Sequence, residues 1–294
     1  MPNKRTRIMP LLFTLGLVTV GVLAGCAEMQ QVAEGVARGV GGEQAAGLVR
    51  GGSTLVSGLL PIGYEEEQSI GASLALQVLA RYNGVYDQPE LTQYVNLVGR
   101  GVALTSDRPE IEYHFAVLNH DSINAFATPA GYVFITRGLL QQLHNEAELA
   151  AVLGHEISHI SEKHILEIIQ RSKQLAGITE AGLAAAGQNP EVFKGLIDQA
   201  AKKLLDEGLD QNKELAADRL GVIFAARVGY DPMAYVTLLQ RLRVLKGDDQ
   251  AFFKTHPNFS TRIEAVQASL RTLNPPLPDV LLADRFTQRL AGKW

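Results

Sequence analysis

Cysteine is nearly absent from this chain: 294 residues contain one, Cys26, and a lone thiol excludes an internal disulfide framework. Basic clusters are missing as well. Lys and Arg total 27 against 31 Asp and Glu, a formal charge of -4, and a mildly acidic chain without a basic patch argues against a nucleic-acid partner. No internal repeat is visible, and the chain ends soon after Pro275-Pro276, so an appended helical-repeat array is not expected. After Ala24 no apolar run is long enough to cross a bilayer, because the Ala-rich stretch 176–187 is short and carries Glu180. What is present suffices for one sizeable core: 46% of residues are hydrophobic and 20% charged, enough for a domain of about 210 residues.

One segment carries chemistry on its face, His155-Glu156-Ile157-Ser158-His159. On a helix turning about 100° per residue, histidines four positions apart lie roughly 40° apart around the cylinder, so both imidazoles reach one ion. Glu156 then stands beside the ion's water, where it can act as general base in peptide hydrolysis. The flanks read as a helix without the motif. Asn145 is an N-cap with Glu148 at the capping-box position, and Leu149, Val152, Leu153, Ile157 and Ile160 form an apolar stripe at helical spacing.

A catalytic zinc ordinarily takes three protein ligands and leaves one position for water, so a third ligand must come from elsewhere. On a continuing helix His164 lies nine residues past His155, about half a turn round, and is expected on a solvated face away from the metal. The extended motif with a later third histidine fails too, because Ile165 holds that place. Glu214 is the better candidate. In Asn212 to Arg219, Glu214 and Asp218 share one face of a helix, giving one carboxylate for the metal and a second to accept a ring N–H of His155 or His159 and fix its tautomer. Taken alone, the same pair reads as a solvated acidic face.

These residues belong to a wider pattern over roughly residues 64–272. The chain resembles the HtpX and CAAX-prenyl-protease-like zinc metallopeptidases, which are gluzincins, in their bacterial lipoprotein branch. Four blocks carry the resemblance: Asn124 to Phe134, Glu148-Leu149-Ala150 leading into the histidine motif, Glu214 to Asp218, and His256-Pro257 with Arg262. It implies one zinc ion per chain on His155, His159 and Glu214, Glu156 as general base, and Asp218 behind the ligands. Thr128-Pro129-Ala130-Gly131 departs from the Pro-Gly-Gly common in similar proteins. Hydrolysis also builds an oxyanion that needs a donor, for which His256 and Arg262 are the catalytic candidates. In similar proteins the histidine of this block approaches the metal. His256 is therefore expected as donor, as a gate on the open position, or merely as the start of a helix over 258–273.

The N-terminus bears on location. Lys4, Arg5 and Arg7 precede an apolar run from Ile8 to Ala24 that ends in Leu23-Ala24-Gly25-Cys26, the pattern of a secretory signal with a lipoprotein processing site. Lipidation would use Cys26, and several acyl chains anchor firmly; an uncleaved signal anchor is the alternative. Ala27 after the cysteine resembles the outer-membrane sorting pattern, so the expected place is the bacterial envelope, on the inner leaflet of the outer membrane facing the periplasm. The domain expectation is signal 1–25, lipidated cysteine and Gly/Ala-rich tether 26–63, metallopeptidase domain 64–273 and a loop-like tail 274–294.

Within the domain, periodicity predicts helices over 65–82, 89–104, 146–170, 208–228, 231–246 and 258–273, and strands over 111–118 and 132–136. The fold class is α+β, mostly helical, and by resemblance zincin-like with a small sheet whose edge strand flanks the active-site helix. As an exposed edge, the segment with Gly131, Tyr132, Val133 and Phe134 would pair with an extended peptide; otherwise it is an ordinary internal strand. Residues 171–208 are either a lid over the cleft or a packed helical hairpin. The expected function is a membrane-tethered zinc endopeptidase acting on unfolded or misassembled envelope proteins, with envelope-assembly proteins as candidate partners and a latent or chaperone-like zinc-bearing binder as the alternative.

Overall fold

The computed structural model describes residues 62–176, 190–246, 258–273 and 276–294. Residues 61–172 with 185–294 make one compact unit; of the other, 1–60 with 173–184, only 173–176 are described. The elements in order are α1 (Tyr64–Arg81), α2 (Pro89–Ala103), β1 (His114–Leu118), β2 (Ala125–Thr128), a 3-10 turn (Pro129–Gly131), β3 (Tyr132–Thr136), α3 (Arg137–Leu140), α4 (Glu146–Ser161), α5 (His164–Ala176), α6 (Pro190–Lys202), a π turn (Lys203–Glu207), α7 (Gln211–Val228), α8 (Met233–Lys246), α9 (Phe259–Leu270) and α10 (Ala283–Leu290). The class is α+β and mostly helical, as expected.

The three strands lie in the order β1-β3-β2, with β3 parallel to β1 and antiparallel to β2. This corrects the expectation of an exposed edge at Gly131, Tyr132, Val133 and Phe134, because β3 is the central strand and Gly131 belongs to the 3-10 turn before it. The reason lies in its side chains: Val133, Phe134, Ile135 and Thr136 are all buried, a run without polar alternation, as suits a strand covered on both faces. The edge nearest the motif helix is β2, which pairs Phe126 with Phe134 and Ala127 with Val133. Ala125-Phe126-Ala127-Thr128 has no alternating pattern, so periodicity alone passes over it.

Helix α4 runs through the middle of the unit. Asn145 accepts a hydrogen bond from the Glu148 backbone N–H at 2.9 Å, and the Glu148 carboxylate accepts from the His144 N–H at 2.8 Å. The reciprocal cap thus forms one residue wider than the usual box. Every residue from Glu146 to Ile160 is buried, which leaves the motif on a rigid support. The expected tail is not loop-like throughout: α10 docks Phe286 and Leu290 into the core, and the Leu281 carbonyl accepts from the first N–H groups of α4. Arg285, Tyr94 and Tyr230 all donate to the buried Glu146 carboxylate, so the tail clamps the start of the motif helix.

Two glycines set how closely α4 meets α7. A Cβ on Gly154 would lie 2.5 Å from the Gly221 carbonyl oxygen, and one on Gly221 would lie 2.5 Å from the His155 nitrogen. No other residue permits this backbone-to-backbone approach. It brings α7 near enough for short carboxylate side chains to reach the histidines.

A further correction concerns the predicted helix over 146–170, which is two helices. Helix α4 ends at Ser161, Lys163 adopts a left-handed conformation with φ 55°, and α5 begins at His164. The left-handed residue interrupts the helical phase after α4, and the phase argument that sent His164 into solvent fails with it.

Candidate metal centre

Three ligand-type side chains converge where α4 and α7 touch. His155 Nε2 and His159 Nε2 are 3.1 Å apart, and Glu214 places one oxygen 3.6 Å from the first and the other 3.7 Å from the second. Tetrahedral ligands held about 2.0–2.1 Å from zinc are about 3.3–3.4 Å from one another, so the cluster has the dimensions of a first coordination sphere. All three residues are buried.

The polarity of the groups points the same way. His155 Nδ1 lies 2.9 Å from Asp218 Oδ1, which draws the ring proton to that side and leaves Nε2 as a lone pair. His159 Nδ1 lies 2.8 Å from His164 Nδ1, and with that proton assigned to His159 its Nε2 is a lone pair as well. Two lone pairs and a carboxylate facing one buried point require a cation between them. Burial alone would lower the pKa of His155, but Asp218 and Glu214 outweigh it and raise it to about 9. Without metal, a proton takes the place of the cation.

Asp218 is held in turn from behind. Arg262 donates to both its oxygens, at 2.8 Å and 2.6 Å, and Tyr235 donates to it at 2.9 Å. Burial would raise Asp218, yet the adjoining guanidinium outweighs burial and keeps the carboxyl well below the usual carboxylate range. Glu156 sits one residue beyond His155, and burial pushes its carboxyl up to about 7 against the opposing pull of His155. A pKa near neutrality suits a group that must take up a proton and return it.

Residues 89–270 match the Peptidase family M48. The chain belongs to that family. Among curated relatives, the M48 chain is 29% identical over 231 residues to the Beta-barrel assembly-enhancing protease of Yersinia pestis, covering 76% of this chain and 44% of the relative. It is 30% identical over 206 residues to the protein of that name from Escherichia coli (strain K12), covering 67% and 39%. With the Mitochondrial metalloendopeptidase OMA1 of Schizosaccharomyces pombe it shares 31% identity over 183 residues, covering 60% and 52%. The matches thus span about two fifths to one half of these relatives. M48 peptidases are metallopeptidases, and membership implies a divalent metal at the His155, His159 and Glu214 cluster, whose donor set of two imidazoles and a carboxylate fits zinc.

Other expected site residues of the M48 chain fall differently. Arg262, expected as an oxyanion donor, has 0% exposure and is engaged with Asp218 and with Tyr235 at 2.6 Å; it acts through Asp218, because a buried guanidinium is most stable beside a buried carboxylate. His164, expected in solvent, is buried against His159. Burial, then the charge of Lys213, holds its pKa down at about 4, so it is a neutral ring. His256 and Cys26 lie outside the described residues, as do 1–61 and 177–189 of the expected leader, tether and lid. Sequence reasoning missed Tyr235 and set His164 aside as solvated. Neither stands in a motif, and a lysine at the left-handed position gives no sign of a turn.

Among the described residues the centre is buried: Glu156, His155, His159 and Glu214 are all nearly inaccessible. Glu156, His159 and Glu214 line a cavity of ≈ 20 Å³ together with Phe126 of β2, Leu204 and Leu209. That volume holds about one water molecule.

Proposed function

We propose that this chain is a zinc-dependent endopeptidase. The spacing of His155, His159 and Glu214 at 3.1–3.7 Å, with Glu156 on the same small cavity, is the observation that carries the reading. Zinc bound there supplies a lowered pKa for its water and polarisation of the scissile carbonyl. Glu156 accepts the proton of the attacking water and later passes it to the leaving amine. Asp218 keeps the His155 proton on Nδ1, with Arg262 and Tyr235 holding that carboxylate still.

The substrate strand we assign is β2. It is the edge strand beside the cavity, and an extended peptide adding there would gain main-chain hydrogen bonds with little sequence selectivity. Low selectivity suits unfolded chains. Because relatives carry names tied to β-barrel assembly, we assign unfolded or misassembled envelope proteins as substrates. The leader pattern and Cys26 support a lipid tether, with the metallopeptidase domain over 64–273 on the periplasmic side of the outer membrane. Among the described residues no helix is long and apolar enough to cross a membrane.

The test is cleavage of casein by the full chain, loaded with one equivalent of zinc, before and after treatment with a chelator. Turnover that a chelator removes and zinc restores is the expected result. Turnover indifferent to chelation would sink the metal mechanism.

The small volume of the cavity and the burial of Glu156 and Phe126 favour a second reading of the resting state, in which the site is latent and Leu204 and Leu209 withdraw before a peptide pairs with β2. The double substitution Leu204→Ser, Leu209→Ser removes two partly buried apolar side chains. At about 1 kcal/mol each it is expected to raise the open population and kcat/KM roughly tenfold or more. An unchanged kcat/KM in the double variant, measured on the same casein, would remove these side chains from any gating role.

A further inference from the structure

We infer that His164 is a positioning residue for the metal ligand His159: its Nδ1 accepts the His159 Nδ1–H and so fixes that ligand's tautomer and ring plane, as Asp218 does for His155. The inference rests on the zinc reading of the site.

The geometry is specific. The two Nδ1 atoms are 2.8 Å apart, the ring centroids 5.0 Å, and the rings stand at 64°. One proton must lie between two nitrogens at that separation, since two lone pairs or two N–H groups would repel. Because His159 turns Nε2 toward His155 Nε2 and Glu214, the proton belongs on His159 Nδ1 and His164 is the acceptor. His164 is 5% exposed, so water is a poor substitute for it.

The chain reaches this contact by an unusual local route. Lys163 takes the left-handed backbone that disfavours any residue with a Cβ. The turn starts α5 at His164, and Ile165, Leu166 and Ile169 on the same helix are buried, so α5 is seated by its own apolar face and the His164 ring arrives with it. A ligand-holding group thus comes from just past the motif helix, five residues after the histidine it serves.

The two imidazole ligands are therefore held unequally. His155 gives its proton to an anion, Asp218, which makes it the more basic ligand. His159 gives its proton to a neutral ring, which orients it without adding a second negative charge behind the site. A carboxylate at both places would bring one more buried charge, and the Arg262 guanidinium is already engaged by Asp218.

The test compares zinc affinity of the full chain, by chelator competition, for wild type and for His164→Asn, His164→Gln and His164→Leu. The Asn amide oxygen falls near the position of Nδ1, whereas the Gln oxygen falls near Nε2. His164→Leu and His164→Gln are expected to loosen zinc by about 10–100-fold, with His164→Asn recovering most of the loss. The visible spectrum of the cobalt-loaded protein should shift in the Leu and Gln variants and stay close to wild type in Asn. A purely structural role would instead lower the unfolding midpoint of the metal-free chain without separating Asn from Gln. Affinity equal to wild type in all three, or a loss in Asn as large as in Leu, overturns the inference. His155→Ala, measured alongside, tells the two claims apart: if it binds zinc as well as wild type, the metal-site reading itself has failed.

Discussion

Glu156→Gln is expected to lower kcat/KM on an unfolded protein by about 10²–10⁴-fold, the range lost when a general base is removed, while zinc stays bound at one equivalent. The reason is geometric. Glu156 lines the cavity beside the ligands but is not one of the three converging groups, so the amide keeps the shape of the site and removes only the proton acceptor. Peptide should still bind. The check is casein turnover alongside metal content; equal turnover in both proteins would overturn the assignment of the base, and loss of zinc would recast Glu156 as a ligand.

Gly221→Ala is expected to damage fold and site together, although it adds a single methyl. Its Cβ would fall 2.5 Å from the His155 nitrogen and 2.8 Å from the Gly154 carbonyl carbon, and both are helix backbone that cannot swing aside. Alanine gains about 1 kcal/mol of helix propensity, but the clash sets α7 back from α4, an overpacking that costs typically 1–3 kcal/mol or more. Glu214 rides on α7 and the histidines on α4. A shift of a few tenths of an ångström therefore stretches the ligand set as well, and we expect zinc to bind at least tenfold more weakly alongside a fall in thermal midpoint of several degrees. Gly195→Ala is the control: it lies in α6 with nothing within 4 Å of its added Cβ, and should be neutral or stabilising by about 0.5–1 kcal/mol. If the two alanine variants behave alike, close approach of α4 and α7 is not what builds the site.

Much of this protein is local in origin, and that part is legible in one dimension. The cap at Asn145, the apolar stripe of α4 and the four-residue step from His155 to His159 depend only on neighbours along one helix. So does the i, i+4 step from Glu214 to Asp218. Helical phase decides these, and phase can be counted along a chain. His164 shows where counting ends: a half-turn away by phase, it lies against His159 because Lys163 breaks the helix, and one left-handed residue without a glycine or proline beside it leaves no mark in the sequence. Arg262 shows the same limit, since its reach toward substrate or toward Asp218 depends on how α9 packs on α7.

By itself, then, the sequence determined the chemistry on offer: two imidazoles and a carboxylate beside them on one helix, two more carboxylates on another, and an apolar N-terminal run followed by a single cysteine. Only the tertiary structure decided which strand is the edge, since β3 becomes central once β1 joins it in parallel from across the sheet. Packing likewise decided that Arg262 serves Asp218, that His164 serves His159, and that Leu204 and Leu209 line one cavity with the base. The division follows from the forces involved: capping and periodicity act within a few residues, whereas strand order, close glycine contacts and buried ion pairs are settled by groups far apart along the chain.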